Sequence, residues 1–205
     1  WDIGALGLAE RLGRRLDAAV IAQRYSRLVI DCNRRPGHPG SIPAASDGTA
    51  VPANAGLDPA DRRARERAIL EPYQAAIAAA LDARARDGRD AVLVAVHSFT
   101  PRMAGIDRPW HAGMLFNRDP RLGRALLELL DAEADLVCAA NQPYRLSDAD
   151  DYTVPVHGEG RGLVHVELEI RQDLIADIAG EEEWAERLGR LLPRALAAIA
   201  SAAGA

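Results

Sequence analysis

Between Val164 and Ile170 the chain alternates: Val164, Val166, Leu168 and Ile170 against His165, Glu167 and Glu169. A period of two sends these sets to opposite faces of a strand, one apolar and one polar. A second strand is expected in "AVLVAVHSFTP", which is apolar from Ala91 until His97 and is closed by Pro101. Here the β-branched run ends in a polar pair, His97 and Ser98. "YSRLVIDCN", "WHAGMLF" and "ADLVCAAN" are three further candidate strands.

Helical spacing fills the intervals. Leu6, Leu8, Ala9, Leu12 and Leu16 make one apolar stripe from Ile3 to Ala18. A long helical segment starts at Asp58, a good N-cap, with Pro59 at the first helical position, and ends at Gly88. Pro72 is expected to kink or divide it. Leu122, Leu126, Leu129 and Leu130 line a helix that begins at Asp119. The last helix, from "EEEWAERL" onward, carries Pro193 as a second expected kink. Arg34 to Leu57 holds four prolines and four glycines and reads as a long ordered loop of the functional kind. Strands separated by helices at this spacing predict an α/β fold with a mixed, mostly parallel sheet and helices on both faces, in a single domain over residues 1–205.

Composition changes this picture little. The 205 residues are 48% hydrophobic and 27% charged, which places the chain with globular domains. Its net charge of -5 gives no electrostatic footprint for nucleic acid. Every basic residue other than histidine is arginine, interleaved with acids as on a solvated surface. No run of about 18 apolar residues suggests a membrane span. Cys32 and Cys138 lack metal spacing and are expected as buried free thiols, which fits the cytoplasm.

Candidate chemistry lies at strand ends. There is no G-x-S-x-G elbow, P-loop or dinucleotide fingerprint. Asp31, Asn33 and Arg34 follow the first expected strand, His97 and Ser98 the second and Asn141 the fourth, while Glu169 and Arg171 end the last. Ligands of open α/β sheets bind outside the carboxyl ends of strands. Arginine, carboxylates, an amide and an imidazole there suit a small anionic substrate beside a metal or an acid/base pair. Each residue also has a structural explanation. His97 is a satisfied strand-end histidine, Asn33 and Arg34 are turn chemistry, and Glu169 with Arg171 is a surface ion pair.

The segments "WDIGALGLAERL", "YSRLVIDCNRRPGHPGSIP", "VAVHSFTP", "WHAGMLFNRDPRLGRALLELL", "NQPYRLSDADDYT" and "HGEGRGLVHVELEIRQDLI" occur in order. Together they resemble the N-formylglutamate amidohydrolase family, itself similar in plan to zinc carboxypeptidases and zinc deacylases. The resemblance implies a zinc-exopeptidase-like fold and a metal-dependent amidohydrolase. It would cleave N-formyl-L-glutamate, or a related N-acyl amino acid, in histidine degradation. It implies His97 as a metal ligand and Glu169 as the catalytic base. Asn33 and Arg34 would hold the substrate α-carboxylate, and Arg171 would orient Glu169 or meet the side-chain carboxylate. Zinc, or another divalent metal, is the implied cofactor, with a metal-free chain as the alternative. The family's histidine-glycine motif after its first strand is absent, so the chain is expected to lack its N-terminal strand and first metal motif. Asp2 or another acid is open as a further ligand. A deacylase with a different N-acyl substrate and a non-catalytic carboxylate-binding relative are the alternatives in function. A small-molecule substrate is the only implied partner, and oligomeric state is not readable.

Overall fold

Residues 1–203 are described in the computed structural model. In chain order its helices and strands are α1 (Ala5–Leu16), β1 (Ala45–Ser46), β2 (Thr49–Ala50), α2 (Pro59–Arg65), α3 (Glu71–Arg86), β3 (Val92–Phe99), β4 (Arg102–Met103), β5 (Ile106–Asp107), β6 (Ala112–Leu115), α4 (Arg121–Asp131), β7 (Cys138–Ala140), β8 (Val164–Arg171) and α5 (Ile178–Ala203). The fold is α/β, as expected. The chain forms two compact units. One takes in Trp1, Ile21–Ala91 and Ser147–Leu163, and the other takes in Asp2–Val20, Val92–Leu146 and the chain from Val164 onward.

The second unit is built on a four-stranded sheet in the order β3-β8-β6-β7. β3 is parallel to β8, β8 antiparallel to β6, and β6 parallel to β7. Register sorts the side chains. Val166, Leu168 and Ile170 join Ala112 and Met114 under Leu8 and Leu12 of α1, Leu122, Leu126 and Leu130 of α4, and Trp184, Leu188 and Leu192 of α5. Full burial of each such side chain contributes roughly 1.5–3 kcal/mol. β3 is longer than its apolar run: it continues through Ser98 and Phe99, so His97 lies within the strand and not at its tip. The odd-numbered set of β8 is not solvated either. His165, Glu167 and Glu169 are buried, so the expected polar surface face is a buried polar layer.

The first unit corrects one predicted strand. Residues 25–33 form turns, because side chains take the place a neighbouring strand would have. Asn54 Nδ2 donates to the Leu28 carbonyl at 2.7 Å, Arg65 Nη1 to that of Val29 at 2.8 Å, and Gln74 Nε2 to that of Cys32 at 2.6 Å. Ile30 and Cys32 still reach a small core, with Ile42 and Leu70. The expected loop 34–57 contains a β1–β2 ribbon with Asp47 and Gly48 at positive φ. In the long helical segment the disturbance falls just before Pro72, where Glu66–Leu70 is a π-helical turn between α2 and α3. Proline supplies no N–H to the preceding turn, which favours such a local rewinding. α5, by contrast, runs continuously past Pro193.

Candidate active site

His97 and Glu169 are the two expected site residues that the structure brings side by side. They are direct neighbours in the parallel β3–β8 register, with Ala95 opposite Glu167. Adjacent strands lie about 4.8 Å apart, so the imidazole shares one sheet face with both carboxylates. On the other flank of Glu169 stands Gly113 of β6. A Cβ at Gly113 would collide with the Gln142 carbonyl oxygen, so only glycine lets that turn approach the sheet beside Glu169.

His97 Nδ1 is 2.7 Å from Asp2 Oδ2, a pairing across 95 positions that no spacing rule could find. Burial disfavours the charged imidazole. The hydrogen bond to Asp2 and the negative charges of Glu167, Asp2 and Glu169 outweigh this and push its pKa up to about 10. Ser98 faces away, towards the helices, where its hydroxyl donates to the Ile3 carbonyl at 2.8 Å. Arg171 does not serve as a free cation: Nε and Nη2 fork onto Asp173 at 2.8 and 3.2 Å, and Nη1 donates to the Pro109 carbonyl at 3.3 Å. Asn141, with φ of 53°, accepts from the Phe116 N–H at 3.0 Å and secures the end of β7.

Asn33 and Arg34 belong to the first unit. Asn33 Oδ1 accepts from the N–H groups of Tyr152 and Thr153 at 3.2 and 2.9 Å, while its amide nitrogen donates to Asp151 at 3.3 Å. Arg34 Nη1 donates to the Asp151 carboxylate and the Asp150 carbonyl, both at 2.9 Å. Nη2 and Nε of Arg34 carry no bond among the described residues, so part of its fork is available to an anion. Further along, His157 Nε2 meets Gln74 Oε1 at 2.7 Å. Because Gln74 Nε2 donates to Cys32, its oxygen must accept, which assigns the proton of neutral His157 to Nε2.

The donor set bears on the implied metal. With Nδ1 tied to Asp2, His97 has the arrangement typical of metal-binding histidines, whose second nitrogen is held by a carboxylate. A catalytic zinc needs about three protein ligands. No group of three or more His, Cys, Asp or Glu that could hold a metal occurs among the described residues. The residues present therefore fit one ligand and not a complete zinc site.

Glu167 and His165 escaped sequence reasoning as site residues, and the sequence leaves Asp2 open only as a further ligand, with no partner assigned to it. The parity shared with Glu169 could have flagged Glu167 and His165, but nothing in the sequence says that this face is buried.

Comparison with known proteins bears on the fold and the family. A crystal structure of a gene product from Agrobacterium tumefaciens matches with a TM-score of 0.92 and 38% identity, over 97% of this chain and 79% of that one. The crystal structure of N-formylglutamate amidohydrolase from Ralstonia eutropha JMP134 matches with a TM-score of 0.64 over 95% of this chain and 81% of that one. At 18% identity that likeness speaks for the fold alone. None of the curated proteins matches. The family model described as N-formylglutamate amidohydrolase matches residues 1–176, and on that match the chain belongs to the N-formylglutamate amidohydrolase family.

Proposed function

We propose that the chain hydrolyses N-formyl-L-glutamate, or a closely related N-acyl amino acid, to the free acid and the amino acid. The observation that carries this reading is the buried Glu169 carboxylate set between His97 and the side-chain-free Gly113. In this role Glu169 takes a proton from the attacking water and returns it to the leaving nitrogen, so an O–H bond and the amide C–N bond break while a C–O and an N–H bond form, with no net change in charge on the protein. Asn33 and the unbonded nitrogens of Arg34 are proposed to hold the α-carboxylate, with planar bidentate geometry favouring arginine. Arg171, forked on Asp173, is proposed to orient Glu169 or to meet the substrate's side-chain carboxylate.

Zinc, or another divalent metal, stays part of the proposal, with His97 Nε2 as its contact on this chain. Such an ion would polarise the acyl carbonyl when bound. The described residues supply no three-ligand set for it. Two free thiols support a cytoplasmic setting, and no helix among the described residues is long and apolar enough to cross a membrane.

The test is formate release from N-formyl-L-glutamate by purified protein, with elemental analysis and with added Zn2+. Release of formate sustains the reading, and metal stoichiometry decides the cofactor. Faster turnover of an acetyl or succinyl analogue would favour the deacylase alternative. Binding of carboxylates without any turnover would leave the non-catalytic relative.

A further inference from the structure

Three arginines stand around the carboxyl ends of β3 and β8 in the second unit. Arg102 lies 3.5 Å from Asp107, and Arg171 is forked on Asp173. Arg108 has no carboxylate partner among the described residues. Its surroundings are neutral. Nη1 donates to the Tyr144 hydroxyl at 2.9 Å and the Thr100 hydroxyl at 3.5 Å, and Nη2 lies 2.9 Å from Met103 Sδ. The guanidinium carbon sits 4.9 Å from the Tyr144 ring centroid. A guanidinium is charged at every accessible pH, so this is a positioned cation without a counter-charge.

Its position is tied to the candidate site. The Arg108 N–H donates to the Pro101 carbonyl at 2.8 Å, which pins the base of the β4–β5 hairpin to the chain just beyond β3. At roughly 3.3 Å per extended residue, Thr100 lies about 10 Å from His97 along the strand. Tyr144 accepts from Arg108, so its own hydroxyl proton is left to donate. Two donors thus stand among neutral partners just past the carboxyl end of β3, the strand that carries His97.

We propose that Arg108 and the Tyr144 hydroxyl form the subsite for the side-chain carboxylate of an N-acyl acidic amino acid, making Arg108 a specificity-determining residue. This rests on the amidohydrolase reading and adds to it the residues that select an acidic side chain. A neutral side chain would leave the charge of Arg108 unmatched.

The test compares N-formylglutamate with N-formylglutamine in wild type, Arg108→Gln and Arg108→Lys, and measures glutarate binding by calorimetry in the same three proteins. Wild type is expected to favour the dicarboxylate by about 10- to 100-fold in kcat/KM, the range of a charged hydrogen bond. Arg108→Gln collapses that ratio towards one, with the loss in KM, and Arg108→Lys recovers part of it. A ratio that is undiminished in Arg108→Gln, or absent in wild type, overturns the subsite. If neither substrate releases formate, the N-formyl form of the amidohydrolase reading fails by itself, and glutarate still decides the subsite. Binding at least tenfold weaker in Arg108→Gln supports it. Unchanged binding, or none in wild type, overturns it. Equal thermal midpoints show that the variants are folded.

Discussion

At the residue scale the informative pair is Glu169 and His157, because burial acts on both and to different ends. Glu169 is 4% exposed beside an imidazole, and the proposed function uses it to carry a proton. Glu169→Gln keeps shape and volume but cannot accept that proton. Formate release is expected to fall by about 10²–10⁴-fold with little change in thermal midpoint, read by steady-state kinetics beside calorimetry. A variant that keeps its rate removes Glu169 from the chemistry. His157 illustrates the purely structural use. Burial first, and then the nearby Arg161 charge, hold its pKa below the usual histidine value, with Asp82 opposing. A lowered folded-state pKa means the unfolded chain binds the proton more readily. The stabilisation is complete above the unfolded value near 6.5 and is lost as pH falls through the folded value. Urea midpoints should therefore drop as pH falls below about 6.5, and His157→Gln should flatten that drop. An imidazole resonance titrating at or above about 6.5 would contradict the assignment.

At the element scale, one glycine shows how a strand shapes the site. Gly113 is buried in β6, where backbone oxygen of Gln142 occupies the space of a side chain. Gly113→Ala must push the turn after β7 away from the sheet. A cost of about 1–3 kcal/mol is expected, towards the upper end because the obstacle is backbone, and urea denaturation measures it. Formate release should suffer as well, since that turn lies beside Glu169. The helices were legible because their stripes are local: Leu8 and Leu12, or Leu122, Leu126 and Leu130, recur at helical spacing and are all buried as expected. Residues 25–33 were not legible as turns. Val29 and Ile30 have strand propensity, but the partners that satisfy this backbone are side chains of Asn54, Arg65 and Gln74, up to 42 positions away from their acceptors. Propensity is silent on such partners.

At the scale of the whole molecule, each unit carries one thiol: Cys32 in the first and Cys138 in the second. Burial is the main cause that pushes each up to about 11. Both should alkylate slowly at pH 8 in the native protein and rapidly in denaturant, as followed by mass spectrometry, because the thiolate is the reactive form. Fast native labelling of Cys32 would mean that its small core opens readily. What the sequence determined by itself is the class of fold, the helices, the strands β3 and β8, and the parity that puts His165, Glu167 and Glu169 together. These follow from local periods of 3.6 and 2 that any window of the chain contains. Tertiary structure alone decided that this polar face is buried, that Asp2 grips His97, that Arg171 is spent on Asp173 while Arg108 is not paired with an acid among the described residues, and that Asn33 and Arg34 are braced by Asp151. The physical reason is that burial and charge pairing depend on which distant segments meet, and periodicity carries no record of the partner.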